Sequence, residues 1–186
     1  MPTQTPASIQ QLLGRRGLPL HDNFCARGEA ARILIRLTYF SRIRLQEPVN
    51  DRVREILTTS ITNNRRDNVT GALVHDSKWF AQVLEGRESI VSATFERILR
   101  DCRHSDVSLV AMQPIAERRF GAWWMADIAY DKNNSDLFRH YGESECFDPH
   151  LMRADRLCDL VEALAERTKL IRENKSLAPS NAINAA

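Results

Sequence analysis

Between residues 33 and 129 the apolar positions switch from a spacing of two to a spacing of three and four and back, twice over. That order restricts the fold more than any other feature of the chain. Ile33 to Tyr39 alternates, with Ile33, Ile35, Leu37 and Tyr39 on one face of a strand. Pro48 and Asn50 then open a helix predicted to run to about Asn64, with Asn50 as its N-cap. Thr70 to His75 and Trp79 to Glu85 read as a hairpin that turns at Asp76, Ser77 and Lys78. A second helix follows Gly86 and ends near Cys102. Val107 to Gln113 is a further strand, stopped by Pro114, and Ala122 to Ala129 is a fifth. The order β-α-β-β-α-β-β predicts an α+β, ferredoxin-like sandwich, with two crossover helices on one face of the sheet and the other face left open.

Asp148 as a cap and Pro149 in the first turn predict one more helix, on which Leu151, Ala154, Leu157, Val161, Leu164 and Ile171 recur as far as about Glu173. It either covers the open face of the sheet or presents a surface to a partner or a second copy, and the two are compatible. Residues 1–31 form a polar lead with a short helix over Ser8 to Leu13, and residues 174–186 read as a loose tail. The expected organisation is therefore an extension (1–31), a domain (32–131), a helical extension (132–173) and a tail (174–186). A net charge of +2, with acidic and basic residues interleaved, argues against nucleic acid or an anionic membrane as partner. No apolar run approaches the ~20 residues of a spanning helix. The N-terminus lacks the apolar stretch of a signal peptide, so a cytoplasmic location is expected. The four cysteines form no C-x-x-C pair and are expected to be free thiols. His140, Cys146 and His150 match no zinc spacing and lack a fourth ligand, so no metal is expected.

Three polar residues point where a plain core would have carbon. Tyr39 shares its strand face with Ile33, Ile35 and Leu37, and Gln82 alternates with Phe80 and Leu84. On the first helix the apolar stripe is Val53, Ile56, Leu57 and Ile61, with Asn64 in its middle and Asn63 at its edge. In a ferredoxin-like sheet the first and third strands are central neighbours, which brings Tyr39 beside Gln82. A buried polar group left unpaired costs about 1–3 kcal/mol. Either these three satisfy one another, or they surround a planar polar ligand between the helices; the residue pattern leaves both open.

The stretch from about Ile33 to Tyr130 resembles the BLUF domains, sensors of blue light using FAD. The matching pieces are L-T-Y-F-S (Leu37 to Ser41), N-N-R-R-D-N-V-T-G-A-L (Asn63 to Leu73) and W-F-A-Q-V-L-E-G (Trp79 to Gly86). They continue in order with F-E-R-I-L-R-D-C-R-H (Phe95 to His104), P-I-A-E-R-R-F (Pro114 to Phe120) and W-W-M (Trp123 to Met125). The resemblance implies FAD as cofactor and Tyr39 as the electron and proton donor to it. Gln82 falls at the glutamine whose hydrogen bonds rearrange in the signalling state. Asn64 falls at the anchor of the polar edge of the isoalloxazine, and Ile56 and Ile98 at the aliphatic residues on either side of the ring. Arg103 and His104 match residues lining the flavin pocket, and Ser41 and Asn63 are carried with them as cofactor-binding positions. Trp123 and Met125 match a switch pair on the fifth strand, with Trp124 offering a competing register.

The function so implied is a photoreceptor, not an enzyme, that signals through a protein partner in trans or through homo-oligomers. Two other classes share the fold: an interaction module without flavin, and a flavin-dependent redox enzyme. Against the enzyme, the sequence carries no second substrate site and no G-x-G-x-x-G fingerprint.

Overall fold

The computed structural model describes residues 33–45, 49–131, 133–142 and 147–177. Its five strands are β1 (Leu34–Ile43), β2 (Thr70–His75), β3 (Trp79–Arg87), β4 (His104–Pro114) and β5 (Ala126–Ala129). Helix α1 (Val49–Asp67) crosses from β1 to β2 and α2 (Glu88–Leu99) from β3 to β4, while α3 (Ser135–Tyr141) and α4 (Ala154–Leu177) follow β5. The strands form one sheet in the order β4-β1-β3-β2-β5, antiparallel except that β5 runs parallel to β2. This is the expected α+β ferredoxin-like arrangement.

Strand alternation divides the sheet's side chains between two cores. Ile35, Leu37, Tyr39, Leu73, Phe80, Leu84 and Leu109 pack with Val53, Ile56 and Leu57 of α1 and Val91 and Phe95 of α2. On the opposite face Phe40, Val74, Ala81, Val83 and Val110 pack with Phe138 of α3 and with Leu157, Leu160, Val161 and Leu164 of α4. Each fully buried leucine stabilises by about 1.5–3 kcal/mol, so α4 is an integral layer of the fold. Of the two uses foreseen for the last helix, covering the open face is the one this packing supplies.

Element ends differ from the sequence expectation where local signals compete. α1 starts at Val49, which places Asn50 inside the helix, and it continues three residues past Asn64. It stops where Asn68 turns left-handed (φ 53°), a conformation asparagine tolerates. Ile61 is 40% exposed and does not belong to the buried stripe of α1. The Asp76 carboxylate accepts the N–H groups of Lys78 and Trp79, both at 2.6 Å, and fixes the predicted β2–β3 turn. β5 begins at Ala126, four residues later than expected. Asp148 caps only a local turn, accepting the His150 N–H at 3.0 Å, and α4 begins at Ala154. Leu151 and Ile171, assigned to its apolar stripe, are exposed. α4 also extends to Leu177, into the segment expected to be tail. The helix expected over Ser8 to Leu13 and the residue Cys146 lie outside the described residues. Among the described residues no helix is long and apolar enough to cross a membrane.

Candidate functional site

The two central strands bring Tyr39 and Gln82 together as register partners. Both are buried, and the Tyr39 hydroxyl donates a short hydrogen bond to Gln82 Oε1. The other end of the amide, Nε2, donates to Met125 Sδ at 3.2 Å. These groups form part of the floor of a cleft between α1 and α2, with Leu73, Phe80 and Leu84 beside them. One wall is α1, through Ile56, Thr59, Ser60, Asn63 and Asn64; the other is α2, through Thr94, Arg97 and Ile98. Asp101, Arg103 and His104, in the α2–β4 connection and at the start of β4, complete it.

Asn64 is buried, and its Nδ2 donates to the Trp124 carbonyl at 2.8 Å. The adjoining Trp123 carbonyl accepts the Gly71 N–H at 3.1 Å. Gly71 must be glycine, because a Cβ there would lie 2.0 Å from the Val83 carbonyl oxygen. The segment leading to Met125 is thus tied to α1 and β2 by its backbone and to Gln82 by its side chain.

Burial pushes the Tyr39 phenol far above its usual range, and the Asp101 carboxylate adds to the effect. Burial alone would raise the Asp101 carboxyl, but the Arg103 side chain and backbone N–H groups hold it below the ordinary value. Arg103 Nε lies 2.9 Å from Asp101 Oδ1. His104 is pushed down to about 4, chiefly by burial and further by Arg103, with Asp101 opposing. The unfolded chain, whose histidine titrates near about 6.5, therefore takes up the proton first as pH falls. The stability that neutral His104 contributes is complete above about pH 6.5 and is lost as the pH approaches about 4. Urea unfolding of His104→Gln should show a shallower loss than the parent between these limits, whereas parallel curves would remove this assignment.

Two of the side chains assigned from the sequence sit apart from the Tyr39–Gln82 group. Ser41 is buried but lines no part of the cleft; its Oγ bonds His104 Nδ1 at 2.8 Å instead. Trp123 is not beside Gln82: it packs with the α4 core, against Phe120 and beneath Lys169 Nζ at 5.9 Å. Because β5 starts only at Ala126, strand alternation does not place Trp123 and Met125 on one face. The competing Trp124 is 38% exposed, and it is Met125 whose Sδ accepts from the Gln82 amide.

Sequence reasoning missed Thr59, Ser60, Thr94, Arg97 and Asp101, which line the cleft. The signal was available: Thr94, Arg97, Ile98 and Asp101 recur at helical spacing, as do Ile56, Ser60 and Asn63. It missed as well an ion pair on the far face of β3. Glu85 accepts from Arg36 Nε at 2.7 Å and from the Arg119 and Phe120 N–H groups at 3.2 and 2.9 Å. The Arg119 side chain then reaches Asp159 and Glu162 of α4 at 3.1 and 2.9 Å.

A flat polycyclic ligand with apolar faces and an amide-like edge fits this cleft. Ile56 and Ile98 stand on opposite walls, while Gln82 and Asn64 offer amides at the inner end. Asn64 Nδ2 is taken by the Trp124 carbonyl, and its Oδ1 has no protein partner among the described residues. The family described as "Sensors of blue-light using FAD", BLUF, matches residues 34–126. The chain is 35% identical over 99 residues to the photoactivated adenylate cyclase subunit beta of Euglena gracilis, covering 53% of this chain and 11% of that protein. It is 34% identical over 89 residues to the blue light- and temperature-regulated antirepressor BluF of Escherichia coli K12, covering 48% of this chain and 22% of that one. The chain thus spans about a tenth and a fifth of these two relatives' lengths. Among solved structures, the dark state of the BLUF protein BlrB is 34% identical, with a TM-score of 0.54 and coverage of 58% of this chain and 83% of that one. The photo-activated state of BlsA is 28% identical, with a TM-score of 0.65 and coverage of 71% and 94%. With a family match that spans half of the chain, and Tyr39, Gln82 and Asn64 on one cleft, this protein belongs to the BLUF family, the FAD-using sensors of blue light.

Proposed function

We propose that this protein is a blue-light receptor that holds FAD between α1 and α2 and uses Tyr39, Gln82 and Met125 as its photoactive group. The observation that carries this reading is the hydrogen-bonded chain from the Tyr39 hydroxyl through the Gln82 amide to Met125 Sδ. Ile56 and Ile98 would flank the flavin ring, Asn64 and Asn63 would hold its polar edge, and Arg103 and His104 would line the rest of the cleft. Bound FAD supplies the blue-light-absorbing electron acceptor. Tyr39 is placed to give up an electron. Burial keeps the Tyr39 phenol protonated, so oxidation of the ring is what would release the phenolic proton. Gln82 Oε1, which accepts the hydrogen bond of that hydroxyl, is placed to take the proton. An amide carries a donor and an acceptor of similar shape, so turning or tautomerising Gln82 rewrites its hydrogen bonds without moving the backbone. The bond from Nε2 to Met125 Sδ is lost in the exchange, and the segment tied to Asn64 and Gly71 relaxes.

Absorption spectra of the purified protein, taken dark and then under blue light, test this reading. Bound flavin with a reversible red shift is expected. A colourless protein would leave an interaction module, and bleaching by reductant with rapid turnover would leave a flavin enzyme.

For output we propose homo-oligomerisation or a downstream protein partner through the exposed end of α4, where Leu170 and Ile171 are 57% and 48% exposed. Because α4 also covers a core, the test keeps the helix and alters only its surface. Leu170→Lys combined with Ile171→Lys should abolish any change in mass seen by light scattering between dark and lit protein. A double variant that assembles like the parent would end this proposal.

A further inference from the structure

Ser41 is wholly buried and follows Tyr39 by two residues on β1, but it does not reach the cleft. Its hydroxyl has one side-chain partner among the described residues, His104 Nδ1 at 2.8 Å. A serine hydroxyl brings one proton, and a neutral imidazole has one protonated and one bare nitrogen. If Nδ1 carried the ring proton, it would donate to Ser41 Oγ, and the serine proton would be left buried without an acceptor, an unfavourable arrangement. If Nδ1 is bare, the hydroxyl donates to it and both groups are satisfied. We propose that Ser41 is a positioning residue that fixes His104 as the Nε2–H tautomer, so that the ring presents a neutral hydrogen-bond donor to the cofactor cleft.

The surroundings support this. The His104 ring packs against Phe80 and Tyr39, with centroids 5.0 and 6.4 Å away, which holds its plane. Nε2 has no protein partner among the described residues, yet it is not sealed from solvent, and the ring lines the cleft. Its N–H is therefore available to a ligand acceptor, a carbonyl or hydroxyl oxygen or a bare ring nitrogen. The second proton is taken up only near about pH 4, so the donor stays uncharged at neutral pH. The tautomer stands on the protein geometry alone; its role as a donor to FAD rests on the function proposed above.

The test uses the full chain as purified, labelled with 15N-histidine and kept in the dark. Long-range 1H–15N spectra report which ring nitrogen is protonated, and the His104 signals are identified by their loss in His104→Gln. The parent should show His104 protonated at Nε2 and bare at Nδ1. Ser41→Ala should give a mixture of both tautomers and release flavin on dilution about two- to tenfold faster, as expected for one lost hydrogen bond. Ser41→Thr, which keeps the hydroxyl, should restore the parent spectrum. A parent ring protonated at Nδ1, a tautomer unmoved by Ser41→Ala, or a shifted tautomer with unchanged flavin release would each overturn the proposal. A colourless protein would remove the flavin reading instead, and the histidine spectra would still decide the tautomer.

Discussion

Gln82→Leu is expected to fold, to remain yellow and to lose the reversible blue-light red shift entirely. Leucine keeps much of the volume of glutamine and deletes both hydrogen-bonding ends. The Tyr39 hydroxyl would lose its acceptor and Met125 Sδ its donor. An orphaned buried hydroxyl costs about 1–3 kcal/mol, which a domain stable by about 5–15 kcal/mol absorbs. The cleft walls that would retain flavin, Ile56, Asn64, Ile98 and Arg103, are untouched. Tyr39→Phe should fail in the same way from the other side, by removing the hydroxyl that donates to Gln82 Oε1. A Gln82→Leu protein that binds flavin and still shows the parent's reversible shift would falsify the proposed mechanism.

Glu85→Ala should have the largest effect on stability. The carboxylate is fully buried, and Arg36, its register partner on β1, is nearly so. Removing one member of a buried pair typically costs about 3–5 kcal/mol, because the other charge is left uncompensated. Glu85 also accepts the Arg119 and Phe120 N–H groups, so the segment that carries Met125 and reaches α4 loses its fastening. Urea unfolding should register a loss in this range. Arg36→Met combined with Glu85→Leu should recover much of it, since apolar replacement of a buried pair is often close to neutral. Recovery should stay incomplete by about 1–3 kcal/mol, the cost of the two N–H groups left without an acceptor. A loss below about 1 kcal/mol for Glu85→Ala would mean that Arg36 reaches water through the groove beside Thr38 and Cys158.

That groove and the ion pair beneath it were not legible in the sequence. Arg36 and Glu85 look like ordinary polar positions on half-exposed strands, because alternation assigns them to a face that the first two helices leave bare. Only α4, arriving about 70 residues later in the chain than Glu85, turns that face into a core. The same local reasoning succeeded on the other face. Period-two alternation fixed the directions of Tyr39 and Gln82, and period 3.6 put Asn64 within the buried surface of α1.

The sequence by itself determined the order of the elements within the domain and which strand residues share a face, since backbone geometry sets both over a few residues. The family motifs added FAD. What tertiary structure decided lies where no regular backbone geometry runs. Between Pro114 and Ala126 the chain follows no helical or strand period, so long-range bonds choose the directions of its side chains. Gly71 and Asn64 take the Trp123 and Trp124 carbonyls, Trp123 turns to α4, and Met125 comes to Gln82. Ser41 is a similar case: alternation aims it at the helix-bearing face, but whether it meets the cleft or His104 depends on a strand that begins 63 residues later.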